Sequence, residues 1–175
     1  VGAFLMLFLV ASAASAAAPV VVSSKIDTEG ALQHVMARDE RGSSHMADAY
    51  ARAANRPGVC EGPSVGATHL IPGVAEAFKA SVPMIVLTTD IPLDCERRNM
   101  LTGLDQTALF RAITKETHTI TDAAEIPTAV RRAFRVATTG RPGPVHLRFP
   151  SNVLGATVDG CDVYADPIYG CYPAH

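Results

Sequence analysis

A three-layer α/β/α domain built on a mostly parallel sheet is the fold this sequence predicts, and three observations predict it. From Leu32 onward, short apolar runs alternate with amphipathic stretches, the pattern of strands alternating with helices. Val82-Pro83-Met84-Ile85-Val86-Leu87-Thr88 is a continuous apolar run, as expected of a strand covered on both faces in a parallel sheet. The 175 residues are 48% hydrophobic and 18% charged, which suits one sizeable core and leaves too little chain for two full domains.

Leu32 to Ala37 reads as the first clear strand. Gly42 to Ala54 carries Met46, Ala47, Tyr50, Ala51 and Ala54 at steps of three and four, a helical stripe that Asn55-Arg56-Pro57-Gly58 stops. Val59 and Cys60 open a short strand that runs into the glycine loop Gly62-Pro63-Ser64-Val65-Gly66-Ala67-Thr68. Leu70, Ile71, Val74, Ala75 and Phe78 then mark the buried face of a second helix. After the Val82–Thr88 strand, the polar stretch from Asp90 to Thr102 is long for a compact domain, and such loops are functional or mobile. Thr117 to Ile120 reads as another strand. Ile126, Ala129, Val130, Ala133, Phe134 and Ala137 mark a helix that tolerates Pro127 in its first turn. Gly140-Arg141-Pro142-Gly143 turns the chain into a last strand, Pro144 to Phe149. From Ser151 onward Gly, Asp, Pro and Tyr dominate and periodicity fades, which reads as a linker. The expected division is an apolar segment over 1–24, a domain over 25–153 and a linker region over 154–175.

With 15 Lys+Arg against 17 Asp+Glu and a net charge of −2, the chain lacks the excess of cations that phosphate neutralisation requires, so no nucleic-acid partner is expected. Residues 1–24 carry no charge, and Phe4-Leu5-Met6-Leu7-Phe8-Leu9-Val10 followed by small residues resembles a secretory signal without its positive start. The apolar part falls short of the roughly 20 residues that span a bilayer, so no membrane partner is expected. The segment reads either as signal-like or as a mistaken gene start, and a cytoplasmic location is favoured. Cys60, Cys95, Cys161 and Cys171 form no Cys-x-x-Cys pair and are not spaced with the histidines as zinc ligands. Four free thiols and no metal site are expected, although an oxidising compartment could join Cys161 to Cys171.

Two segments are placed for chemistry. Arg38-Asp39-Glu40-Arg41-Gly42 lies between a strand end and a helix start, and ligands in open parallel sheets bind beyond the carboxyl ends of strands. The plainer reading is that Asp39 or Glu40 only caps the helix. Glu61-Gly62-Pro63-Ser64-Val65-Gly66-Ala67-Thr68 has the same placement one strand later, where glycines let backbone approach a ligand. It is neither a Walker loop nor a Gly-x-Gly-x-x-Gly fingerprint, and taken singly it is a tight turn.

Taken together, the residues carry more. Asp39-Glu40-Arg41-Gly42-Ser43-Ser44-His45-Met46-Ala47-Asp48-Ala49-Tyr50-Ala51-Arg52-Ala53 resembles the pyrimidine-binding domain of thiamine-diphosphate-dependent enzymes, in the acetolactate synthase and pyruvate oxidase branch. Pro57-Gly58-Val59-Cys60, Gly66-Ala67-Thr68, Ser81-Val82-Pro83-Met84, Thr114-Lys115 and Thr138-Thr139-Gly140-Arg141-Pro142-Gly143-Pro144-Val145 follow in that family's order and spacing. The resemblance runs from about Gln33 to Val153, and 163–175 looks like the start of the family's central domain. It implies the thiamine-diphosphate-binding fold of pyrimidine-domain type, with thiamine diphosphate as cofactor and a 2-keto acid as substrate. Glu40 matches the glutamate that hydrogen-bonds the cofactor's pyrimidine ring. Desolvation pushes a carboxyl group toward its protonated form, so it can share a proton with a ring nitrogen. Gln106 matches a position whose amide faces the reacting centre, against the plainer reading of a solvated loop glutamine. Gly66, Ala67 and Thr68 match the segment lining the pyrimidine. His45 and His69 flank these motifs, where structural roles are the ordinary expectation, and Arg141 is expected to be architectural.

The chain departs from the family pattern in two places. The usual first strand, Gly-x-Pro-Gly and helix are missing before Gln33, and Pro19-Val20-Val21-Val22 is the candidate substitute strand. No Gly-Asp-Gly occurs, the motif that in the family holds Mg²⁺ and the cofactor's phosphates on another domain. The resemblance places the cofactor across a subunit interface, so this chain is expected to hold half a site. It is read as a fragment of a larger carboligase or decarboxylase that forms a homodimer. The alternatives are a stand-alone subunit paired with a separate diphosphate-binding chain, and a non-catalytic remnant that binds a partner.

Overall fold

The computed structural model describes residues 22–23, 34–95, 100 and 102–158. In chain order these form β1 (Val22–Ser23), β2 (His34–Val35), α1 (Glu40–Ala54), β3 (Gly58–Gly62), a 3-10 turn (Ser64–Gly66), α2 (Ala67–Ala80) and β4 (Met84–Asp90). There follow α3 (Gln106–Arg111), β5 (Glu116–Thr119), a second 3-10 turn (Ala123–Glu125), α4 (Ile126–Thr138), β6 (Pro144–Pro150) and α5 (Ser151–Leu154). The described strands make one sheet in the order β2-β1-β3-β4-β6-β5, and every pairing is parallel. Parallel neighbours need crossovers, and the helices that supply them cover both faces.

Strand alternation divides the core. Cys60, Met84 and Val86 pack with Ala47, Ala51, Leu70, Val74 and Phe110, under α1, α2 and α3. Val59, Ile85, Leu87, Val145, Leu147 and Phe149 pack with Ile126, Ala129, Val130 and Ala133, under α4. The outcome is the expected three-layer α/β/α domain. Val22, from the candidate substitute strand, pairs with Val59 of β3 and with His34 of β2. Pro19, Val20 and Val21 lie outside the described residues, as do the remainder of 1–24 and residues 159–175.

Three expectations needed correction. The buried stripe of α1 is Ser43, Ser44, Ala47, Asp48 and Ala51, and Met46 faces outward. The helix approaches its neighbours too closely for large side chains. A methyl group at Gly58 would stand 2.1 Å from the Ala47 carbonyl oxygen, and one at Gly73 would stand 2.4 Å from Ser44 Oγ. Small residues are selected there over apolar ones, and the buried polar groups are satisfied locally: Ser44 donates to the Arg41 carbonyl and Arg52 donates to Asp48. Gln106 begins a short helix instead of lying in a loop. Ser151–Leu154, read as linker, is a helical turn whose Val153 is buried against the α4 side of the core.

Candidate functional site

The site is built where β3 and β4 end. Asp39 is the N-cap of α1, and its Oδ1 accepts from the Gly42 amide at 3.1 Å. Because Asp39 caps the helix, the neighbouring Glu40 is not needed for that task, and its side chain turns inward. Only 13% of it is exposed. Glu40 Oε2 meets His69 Nδ1 at 3.2 Å, reaching from the first residue of α1 to the first turn of α2. Oε1 takes no hydrogen bond among the described residues. It lies against Gly66, where a Cβ would stand 2.6 Å from it. The carboxyl head thus rests on bare backbone, an approach that only glycine permits.

The 3-10 turn carrying Gly66 is fixed on both sides. Ser64 donates its amide to Thr89 Oγ1 at 3.2 Å and its hydroxyl to the Thr102 carbonyl at 2.7 Å. Ala67, wholly buried, donates its amide to the Pro63 carbonyl at 2.9 Å, and Thr68 Oγ1 donates to the Val65 carbonyl at 2.8 Å. Glu40, Gly66, Ala67 and Thr68 are therefore brought together at one strand tip.

Gln106 lies one strand further along and is wholly buried. Its Nε2 donates to the Thr89 carbonyl at 2.8 Å, and its Oε1 accepts from the Thr88 hydroxyl. Thr89 therefore anchors both the Gly66 turn and Gln106, yet no hydrogen bond joins Gln106 to Glu40 among the described residues. Thr88 also meets His146 Nε2 at 2.7 Å, and His146 Nδ1 meets Thr117 Oγ1 at 2.7 Å. Burial, with the nearby Arg148 cation, pulls the His146 imidazole down to about 3, so it is neutral. On the same face, Arg148 pairs with the buried Asp90 at 3.3 Å. On the opposite face, at the tip of β3, burial pushes the Glu61 carboxyl up to about 7.

Of the remaining candidates, His45 is exposed on α1. Arg141 is architectural: it donates to Ser81 Oγ and to the Phe78 and Lys79 carbonyls, closing the end of α2. Cys60 and Cys95 are free thiols, and Cys161 and Cys171 lie outside the described residues. Among the described residues no cluster of His, Cys, Asp and Glu could hold a metal ion, and no helix is long and apolar enough to cross a membrane. Sequence reasoning missed the link from Thr88 through His146 to Thr117. The available signal was a histidine between Val145 and Leu147 in the Pro144–Phe149 strand.

Known proteins resemble this chain in sequence. Over 129 residues the chain is 41% identical to a probable acetolactate synthase large subunit from Methanocaldococcus jannaschii, covering 73% of this chain and 22% of that protein. It is 38% identical over 128 residues to the acetolactate synthase large subunit of Parasynechococcus marenigrum, covering 73% of this chain and 21% of that one. With the mitochondrial acetolactate synthase catalytic subunit of Saccharomyces cerevisiae the identity is 34% over 138 residues, 77% of this chain and 20% of that one. The chain spans about a fifth of the length of these curated relatives. Residues 20–109, more than half of the chain, match the family described as thiamine pyrophosphate enzyme, N-terminal TPP binding domain. The parallel sheet and this match agree: the chain belongs to the thiamine pyrophosphate enzymes, through their N-terminal TPP-binding domain.

Proposed function

We propose that residues 25–153 supply the pyrimidine-binding half of a thiamine-diphosphate site that acts on 2-keto acids, as in acetolactate synthase. The observation that carries this reading is the Glu40 carboxyl, mostly withdrawn from water, with Oε2 on His69 and Oε1 against Gly66, without a hydrogen bond among the described residues. This donor set fits the cofactor's pyrimidine. An aromatic ring needs a small-residue wall, which Gly66 offers with Ala67 packed behind it, and a ring nitrogen needs a carboxyl able to exchange a proton.

When bound, thiamine diphosphate supplies the electron sink that decarboxylation of a 2-keto acid requires. The chain's own part is narrower. Glu40 holds or passes a proton at Oε1, His69 keeps the carboxyl turned toward Gly66, and Ala67 and Thr68 bound the space beside it. Gln106 is assigned to the reacting-centre side of the site, where its buried amide holds Thr88 and Thr89. The diphosphate and its Mg²⁺ fall to a Gly-Asp-Gly domain, whether on the same polypeptide or on a separate chain, and a dimer brings the two halves together.

The test is Glu40→Gln in the complete enzyme. Gln keeps the size and the hydrogen bonding but cannot exchange the proton, so turnover should fall by about 10²- to 10⁴-fold, the usual worth of one acid–base group, with the fold intact. Unchanged turnover would remove the assignment. Reading the gene beyond His175 for a Gly-Asp-Gly frame, and co-purifying any second chain, distinguishes the two sources of the diphosphate half. A stable dimer with no thiamine diphosphate affinity would favour the non-catalytic remnant.

A further inference from the structure

We propose that His146 is a positioning residue for Gln106: as the neutral imidazole protonated at Nε2, it sets the direction of a buried hydrogen-bond chain that holds the Gln106 amide in one orientation. The functional half of this proposal rests on the reading of Gln106 as a residue of the cofactor side.

The direction of the chain follows from what each atom can do. The Thr89 carbonyl only accepts, so the Gln106 atom facing it at 2.8 Å is the amide nitrogen, and Oε1 faces Thr88. Oε1 also only accepts, so the Thr88 hydroxyl spends its single proton there. Thr88 Oγ1 is then an acceptor toward His146, 2.7 Å away, and Nε2 must carry the hydrogen. His146 is fully buried, and desolvation keeps it neutral, which leaves Nδ1 bare to accept from Thr117 Oγ1 at 2.7 Å. The imidazole is further clamped by stacking on Phe110, with centroids 4.2 Å apart. Every proton in the chain from Thr117 to Thr89 is thus assigned. Without the Nε2 donor, Thr88 Oγ1 loses the bond that fixes it and polarises its hydroxyl toward Gln106.

The experiment is ¹⁵N NMR on the full 175-residue chain. In the unsubstituted protein the His146 nitrogens should show hydrogen on Nε2 and a bare Nδ1. The opposite tautomer overturns the proposal without any variant. His146→Phe keeps the stacking but removes the donor, and Gln106 side-chain amide exchange should accelerate about five- to tenfold, the equivalent of one buried hydrogen bond. His146→Gln sets an amide donor where Nε2 stands and should restore slow exchange. Unchanged exchange in the Phe variant, or equal exchange in the Phe and Gln variants, overturns the proposal. Failure of the Gln106 reading looks different: the NMR results hold, while Gln106→Ala in the complete enzyme leaves keto-acid turnover unchanged.

Discussion

One added carbon at position 66 would stand 2.6 Å from Glu40 Oε1 and 3.0 Å from Pro63 Cδ. The carboxyl is the far end of a flexible side chain, so it can retreat, and Gly66→Ala should cost no more than about 1 kcal/mol of stability. The retreat is the point, since it moves the oxygen that the proposed function assigns to the pyrimidine. Calorimetry on the complete enzyme should show thiamine diphosphate affinity reduced about tenfold or more, with the unfolding midpoint nearly unchanged. Affinity retained in full would mean that Oε1 is not the contact. The importance of Glu40 and Gly66 was legible in the sequence because they stand in an ordered string of motifs. The Glu40 tie to His69 was not, since two histidines flank the motifs and nothing in the sequence separates the exposed His45 from the bonded His69. Burial of Gln106 was illegible for a related reason: its partners, Thr88 and Thr89, lie on a strand 18 and 17 residues earlier.

Glu40 is held in place by α1 as a whole, so loosening the helix should disturb the carboxyl without touching it. Asp39→Ala removes the cap on the Gly42 amide and should cost about 1 kcal/mol, as N-cap losses do. Gly73→Ala should cost more, because its Cβ would meet Ser44 Oγ at 2.4 Å and the Ser44 carbonyl carbon at 2.8 Å, and backbone cannot step aside as a side chain can. Urea unfolding of both variants checks the order, and a Gly73→Ala cost below that of Asp39→Ala would show that α1 and α2 are less tightly joined than their geometry implies. Long elements were legible because periodicity accumulates over many residues, as in β4, β6 and the amphipathic α4. The six residues of α3 and the four of α5 are too short for a period to emerge. Ala47 and Ala51 were read correctly on the buried face of α1, but Met46 was not, because close packing selects Ser44 where apolarity alone favours Met46.

Across the whole molecule, two buried titrations on opposite faces of the sheet act against each other. His146 is lowered from its ordinary 6.5 to about 3 by burial, so between these values the unfolded chain binds the extra proton and stability is lost as pH falls. Glu61 is raised from 4.5 to about 7, also by burial, so the folded chain binds the extra proton there and stability is lost as pH rises. The windows overlap from about 4.5 to 6.5, where each slope is at most about 1.4 kcal/mol per pH unit and the two have opposite signs. Glu116, held down by the Arg132 hydrogen bond, titrates below that overlap. Stability should therefore be nearly flat across the overlap, fall below it where His146 alone titrates, and fall slightly above it, up to about 7, where Glu61 alone titrates. Denaturation at both ends of the plateau then separates the two groups. Glu61→Gln leaves His146 unopposed, so that variant should be more stable at the upper end than at the lower. His146→Phe leaves Glu61 unopposed and should reverse the order. Two variants sloping the same way would mean that one of these side chains meets water in the folded protein.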